Sequence, residues 1–398
     1  MMAKRFFSDR RGSVLPIFGL SITLIFGMVA VAIDYSRAAA TRTDLQAKLD
    51  SIALMLSREA IGLSQTQIQA KADAYIAAML NRPEAAGLTI QPQFVMDGNA
   101  LRVSVTGSAT VQTTLTRILG ISSMQIGSTS VVDWEMRRLE LVLALDNTGS
   151  MQSLNKMTEL KKAVKSLLKT LKDTTKTPGQ IRAAIVPFDT VVNAGASNVN
   201  APWLTLDPSV TAATWTGCIQ DRDQPYDTQP TLPNSAATRF TGSACTGGSN
   251  LTQMLPLTND WTALEQTVDA MTPNGTTNVT IGVAWGMQAL TPGSPLPGAS
   301  SPRSDLDKVM IVLTDGDNTR NRWTGSPGLI DARTSAACTE AKSAGVRIFT
   351  IRVIEGNVDL LRGCASNTSS YFDVQNASQL NAVFSEIGRS LANIRISK

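Results

Sequence analysis

Histidine is absent from all 398 residues of the chain. That excludes a Ser-His-Asp triad, a Cys-His dyad, imidazole general bases and histidine-ligated zinc. Any hydrolytic chemistry would have to rest on carboxylates, lysine or a metal ion. Cysteine is scarce: Cys218, Cys245, Cys338 and Cys364. None forms a C-x-x-C pair, which argues against zinc ribbons and thioredoxin-type exchange. An even count instead fits two disulfides in an oxidising compartment, where the local pairing Cys218–Cys245 and Cys338–Cys364 is preferred among the three connectivities that four cysteines allow. Aromatic residues make up 5%, and the net charge is only +4. No basic stripe is interleaved with aromatics, so nucleic-acid binding has little support. The length allows two or three domains.

What the chain does have is an apolar run, Leu139-Glu140-Leu141-Val142-Leu143-Ala144-Leu145, followed at once by Asp146, Thr148 and Ser150. The run has the length of a buried strand, and Asn147 and Gly149 close it with a turn. A D-x-T-x-S turn there can aim one carboxylate and two hydroxyls at one point. Such hard oxygen donors suit Mg²⁺, Mn²⁺ or Ca²⁺. Two later segments can complete the point. Asn274-Gly275-Thr276-Thr277-Asn278 precedes an expected helix, and Val309–Thr314 is a second apolar strand ending in Asp315-Gly316-Asp317. Parallel neighbours in a sheet deliver their C-terminal loops to the same edge. Taken alone, Asp146 would read more simply as a helix cap.

These three segments resemble the metal-ion-dependent adhesion site of the von Willebrand factor A family. Its D-x-S-x-S turn, later threonine and later aspartate match Asp146, Thr148 and Ser150, then Thr277, then Asp315. Thr148 replaces the usual serine and keeps the hydroxyl. Thr277 is preferred to Thr276 because Asn278 and Gly282 follow it at the family's spacing. The resemblance covers residues 137–398 and implies a doubly wound α/β domain holding a divalent cation, Mg²⁺ foremost, with Mn²⁺ or Ca²⁺ as alternatives. It also implies that a carboxylate from a protein partner fills an open position on the ion.

Residues 13–33 carry no charge and would span roughly 30 Å as a helix, enough for a bilayer core. The apolar core of a cleaved signal is shorter, and no small-x-small site marks the boundary at Asp34-Tyr35. A retained single-pass anchor is therefore expected. Lys4, Arg5, Arg10 and Arg11 crowd its short N-terminal side. Arg37, Arg42 and Lys48 on the other side are diluted by Asp34, Asp44 and Asp50. The positive-inside rule then modestly favours residues 1–12 in the cytoplasm and the bulk of the chain on the far side of the membrane. Arg5-Phe6-Phe7-Ser8-Asp9-Arg10-Arg11-Gly12-Ser13, the apolar stretch, Ala32-Ile33-Asp34-Tyr35-Ser36-Arg37 and Leu45-Gln46-Ala47-Lys48-Leu49-Asp50 resemble the N-terminus of TadE/TadG-like Flp pilus-assembly proteins. Gly12 is not expected to be a prepilin cleavage point, because prepilins carry Glu five positions on, where this chain has Ile17.

Residues 34–136 form the expected TadE/TadG-like module. Leu45, Leu49, Ile52, Leu56, Ile68, Ala72, Ile76 and Leu80 recur at helical spacing up to Asn81-Arg82-Pro83. Short strands are expected at 88–90, 101–105 and 128–132, with a turn at Asp97-Gly98-Asn99. From Leu139 strands and helices alternate, with strands at 181–188, 308–314 and 346–353 and helices near 260–271, 278–290, 330–344 and 376–393. Residues 195–258 interrupt this pattern as a long insertion rich in Thr, Pro, Asn, Ser and Gly, holding Trp203, Trp215 and Tyr226.

The expected function is that of a membrane-anchored, metal-dependent protein-binding component of pilus assembly or envelope adhesion, and not an enzyme. Its partners would be pilus or envelope proteins and, through residues 13–33, the membrane. Two rivals remain open. One is a metal-free envelope scaffold. The other is a haloacid-dehalogenase-like phosphatase, whose second acid, two residues after the nucleophile, is replaced here by Thr148. The related P-type ATPase motif D-K-T-G-T differs at Asn147.

Overall fold

The computed structural model describes residues 14–59, 63–79, 85–97, 100–135, 137–245 and 251–393. The basic N-terminus, Gly12, the stop at Asn81-Arg82-Pro83 and the Gly98-Asn99 turn lie outside them. The chain divides into two compact units, Met1–Met136 and Arg137–Lys398.

The first unit starts with one continuous helix, α1 (Val14–Glu59). Its early part exposes Ile17, Phe18, Leu20, Leu24, Phe26 and Met28. Among the described residues, this is the one helix long and apolar enough to cross a membrane. Beyond Asp34 the same helix becomes amphipathic. Leu45, Leu49, Ile52 and Leu56 are fully or almost fully buried, and Ile68 and Ala72 of α2 (Gln65–Met79) join them. They cover an antiparallel meander of β1 (Ala85–Asp97), β2 (Ala100–Gln112) and β3 (Ser123–Glu135). Val103, Val105, Ala109 and Val111 of β2 alternate onto the covered face, as period two requires. Gly107 falls in that row because a Cβ there would lie 3.0 Å from a Leu49 methyl. The strands are far longer than the apolar clusters predicted. Their ends are Thr, Ser, Gln and Ala, which give no hydrophobic alternation, yet the β2–β3 ladder runs from Ala100↔Glu135 to Gln112↔Ser123.

The second unit is built on β4 (Arg138–Asp146), α3 (Lys156–Thr174) and β5 (Ile181–Phe188). Four short strands follow: β6 (Val192–Asn193), β7 (Leu204–Leu206), β8 (Cys218–Gln220) and β9 (Phe240–Gly242). Then come β10 (Leu255–Thr258), α4 (Trp261–Ala270) and α5 (Val279–Ala289). The chain closes with β11 (Leu306–Thr314), α6 (Pro327–Ser343), β12 (Arg347–Val353), α7 (Val358–Cys364), β13 (Tyr371–Val374) and α8 (Leu380–Asn393). The sheet order is β13-β12-β11-β4-β5-β6-β8-β9-β7, with β10 beside β5, and the five strands from β13 to β5 are parallel. Both faces are covered, which is why β4 reads as a continuous apolar run. Leu139, Leu141, Leu143 and Leu145 pack toward α3, α4 and α8. Val142 and Ala144 pack toward α5 and α6.

The 195–258 segment is more ordered than its composition implies. Its strands have three or four residues, too few to leave a periodic signature, but they extend the sheet beyond β5. The Phe240 ring centroid lies 4.5 Å from that of the buried Trp285 of α5, and the Arg222 guanidinium lies 4.4 Å over the Phe240 ring. Disulfides join Cys218 to Cys245 and Cys338 to Cys364, the preferred local pairing.

Candidate functional site

Chain order dictates where a site forms. β4 is followed on one side by β5 and, after the insertion, on the other by β11. This reversal is a topological switch point, and the crevice beyond the strands' C-terminal ends is the ligand position in such sheets. Asp146 ends β4, and Asp315 follows the last residue of β11.

The two acids and two hydroxyls meet in a continuous network. The Thr148 amide donates to Asp146 Oδ1 at 2.8 Å, and the Thr314 hydroxyl donates to Asp146 Oδ2 at 2.6 Å. Thr148 Oγ1 and Ser150 Oγ are 2.9 Å apart, and Ser150 Oγ donates to Asp315 Oδ1 at 2.6 Å. Thr277 is held by reciprocal bonds with Thr319: its amide donates to the Thr319 hydroxyl at 2.8 Å, and its carbonyl accepts from the Thr319 amide at 2.9 Å. Its hydroxyl and that of Ser150 flank Gly316, at 3.8 and 3.9 Å from where a Cβ would stand. Thr276 is exposed, whereas Thr277 is buried. The loops are tied to each other by Gly149 N–H to the Gly275 carbonyl (3.1 Å) and Asn147 Nδ2 to the Thr272 carbonyl (2.7 Å). Asp146, Thr148, Thr277 and Asp315 are buried, and Ser150 is exposed, so the cluster opens to solvent at Ser150.

Burial disfavours charge on the acids at this sheet edge. Burial, and then the neighbouring Asp315, push the Asp146 carboxyl up to about 6. Asp189, just after β5, is pushed up to about 7, chiefly by burial, with Asp146 adding to it. Its Oδ2 has no hydrogen-bond partner among the described residues. The donor set fits a hard divalent ion: hydroxyls and carboxylates only, with the 2.9 Å Thr148–Ser150 oxygen separation near the edge of an octahedron. Bonds of about 2.1 Å give an edge of about 3 Å. Among the described residues no group of three or more His, Cys, Asp or Glu forms a cage, so any such site depends on hydroxyls.

Sequence reasoning missed two residues here. Lys156 places Nζ 2.8 Å from Asp315 Oδ2, with both side chains almost fully buried. The signal was available: Lys156 stands four residues before Leu160, on the buried stripe of α3. Asp189 follows an apolar strand to the same sheet edge, as Asp146 and Asp315 do. The insertion also reaches the site's loops. The buried Asp221 accepts from Asn278 Nδ2 at 3.0 and 3.1 Å and from the Arg322 amide at 3.1 Å.

A two-faced parallel sheet with acids and hydroxyls at its switch point defines the class, and sequence comparison agrees. Residues 243–386 match the family model of the von Willebrand factor type A domain. Residues 12–55 match that of the Flp pilus-assembly TadE/G-like family. The chain thus carries a von Willebrand factor A domain behind a TadE/G-like segment. The matched A-domain residues include Thr277 and Asp315 and begin after Asp146, Thr148 and Ser150. No curated protein matches the sequence. Among solved structures, similarity extends to the pilus adhesin SpaC from Lactobacillus rhamnosus GG, at 13% identity and a TM-score of 0.42. That match covers 79% of this chain and 36% of SpaC, so the chain spans little more than a third of that adhesin. The von Willebrand domain of the type V pili tip protein Mfa5 from Porphyromonas gingivalis matches at 12% identity and a TM-score of 0.42, covering 66% of this chain and 97% of that one. Proximal thread matrix protein 1 from the mussel byssus, solved with a zinc-occupied adhesion motif, matches at 14% and 0.40, covering 65% and 49%.

Proposed function

We propose that this chain is a membrane-anchored protein-binding component of pilus assembly or envelope adhesion, whose A domain engages a partner through a divalent cation. The observation that carries the reading is the convergence of Thr148, Ser150 and Asp315 in one hydrogen-bonded cluster with Asp146 at the sheet's switch point. Ser150, Thr148 and Thr277 would hold the ion, with Asp146 and Asp315 close by or acting through water. A bound ion supplies positive charge to which a partner's carboxylate is drawn. The exposed Ser150 edge is where that partner would approach, and α1 would tether the domain to the inner membrane through residues 13–33, with the bulk of the chain outside the cytoplasm.

Phosphoryl transfer through Asp146 is disfavoured. Both of its carboxylate oxygens accept hydrogen bonds, and the side chain has no exposed surface to offer a substrate. A metal-free scaffold has one observation in its favour: the Lys156 ammonium already neutralises Asp315.

Thermal unfolding of the full chain in detergent, with EDTA or with Mg²⁺, Mn²⁺ or Ca²⁺, separates the two readings. An ion that binds only the folded state adds about 2.7 kcal/mol at a hundredfold excess over Kd. The melting temperature should therefore rise with metal in the wild type and not in Asp146→Ala. A wild-type curve that ignores saturating metal supports the scaffold.

A further inference from the structure

We infer that the β2–β3 loop of the first unit, residues 113–122, is a second membrane contact that inserts into the lipid beside α1. This rests on reading residues 13–33 as a membrane span. The loop carries four large apolar side chains in the open: Ile118 is 87% exposed, Leu119 53%, Ile121 45% and Leu115 39%. Scattered exposed apolar residues are ordinary, but four within seven positions of one loop form a patch.

The loop's height along α1 is fixed. Asp34, the first charged residue after the uncharged stretch, accepts from the amides of Thr114, Leu115 and Thr116 and from the hydroxyls of Thr114 and Thr116, at 2.7–3.2 Å. From that clamp the tip points back along the apolar half of the helix. A Leu119 methyl lies 4.0 Å from the Cβ position of Gly27. Gly27 is seven residues before Asp34, about 10 Å along a helix. An open groove lined by Leu24, Gly27, Met28, Val31 and Leu119 runs between tip and helix. If Asp34 stands at the edge of the hydrocarbon, Leu119 reaches about 10 Å below it, the depth at which amphipathic surface segments settle.

Irregular backbone tolerates such a place only when its polar groups are satisfied. Here the amides of Ile118, Gly120 and Ile121 donate to carbonyls of Leu115, Arg117 and Thr116 within the loop, and Asp34 takes those of Thr114–Thr116. Arg117 is the loop's single charge and is exposed, free to extend its head toward lipid phosphates. The bilayer is chosen over a protein occupant because the patch continues the apolar surface of α1 at the same depth.

The test uses the full chain in vesicles of phosphatidylcholine and phosphatidylglycerol with brominated acyl chains. Its native cysteines are paired, so single cysteines at Ile118, Leu119, Phe26 and Val131 take an environment-sensitive fluorophore. Phe26, exposed in the apolar stretch, reports on the anchor, and Val131, exposed on β3, reports on solvent. The expected result is loss of emission to bromolipid at Ile118→Cys, Leu119→Cys and Phe26→Cys, and loss to aqueous iodide only at Val131→Cys. Tip labels quenched by iodide while Phe26→Cys responds to bromolipid would overturn the loop contact and leave the anchor standing. A Phe26→Cys label untouched by bromolipid would remove both. Tip labels shielded from both quenchers, with the unlabelled tip cysteines forming a disulfide between two chains under mild oxidant, would assign the patch to a second copy of the chain instead.

Discussion

Lys156 sets the balance of the candidate site at the scale of single residues. Its ion pair with Asp315 is buried on both sides. Removing one partner of such a pair leaves an uncompensated charge and costs about 3–5 kcal/mol. Lys156→Met should therefore lose stability by that order in EDTA and regain part of it in Mg²⁺, as read by urea unfolding in the two buffers. An unchanged midpoint in EDTA would mean the pair contributes nothing in solution. Asp221 gives a pH signature. Burial first, and then Asp227, raise its carboxyl from 3.8 to about 6 in the folded chain. Between those values the folded state keeps a proton that the unfolded state releases, so the stability Asp221 contributes is fully present below pH 4, falls as pH rises to about 6, and then levels off. The Asp221→Asn variant should show a shallower fall over that window in melts at graded pH. Asp146, Thr148, Ser150, Thr277 and Asp315 were legible in the sequence because each stands at a strand end or in a Gly-rich loop. Lys156 and Asp189 were not singled out, since a lysine is ordinarily read as solvated and one acid after a strand as a cap.

Among the elements, α5 shows how tightly the layers approach. A Cβ on Gly282 would stand 2.5 Å from the Phe188 ring. Helix propensity alone favours Ala over Gly by about 1 kcal/mol. The ring cannot retreat within the packed interior between α5 and β5, so overlap wins, and Gly282→Ala should cost about 1–3 kcal/mol net. Phe188→Leu should lower that cost in the double variant, and chemical denaturation of the four proteins measures the coupling. Elements with strong periods were readable: β4 and β11 from continuous apolar runs, α3 from the Met157–Leu171 stripe. The strands of the 195–258 segment escaped because three or four residues carry no period. Those of the meander were undercalled because backbone pairing, not apolar alternation, holds their ends.

For the whole molecule, both disulfides close loops of similar size, with separations of 27 and 26 residues. Loops of that length confer about 3–4 kcal/mol each in the chain-entropy account. Reduction should therefore lower the melting temperature of the chain markedly, and Cys338→Ala with Cys364→Ala should reproduce part of the shift, since that pair ties α6 to α7. An unaltered melt under reductant would deny the bonds a role in stability. The fold class was readable at this scale, because three site segments at strand ends or helix starts meet at one edge of a parallel sheet. The extension of the sheet beyond β5 was not, since it depends on pairings between short segments distant in sequence.

The unbroken course of α1 has a mechanical consequence. Asp34 clamps the loop between β2 and β3, Leu49 faces Gly107 midway along β2, and Gln46 reaches Ser128 and Thr129 of β3. Helix and β3 therefore run in the same direction, away from the apolar stretch. Tension between the helix's first turns and the last residues of β3 slides one element along the other. It loads Leu45, Leu49, Ile52 and Leu56 together in shear, where a peeling geometry would meet them one at a time. A chain that must bear a pull at its outer end would be held by such a collar.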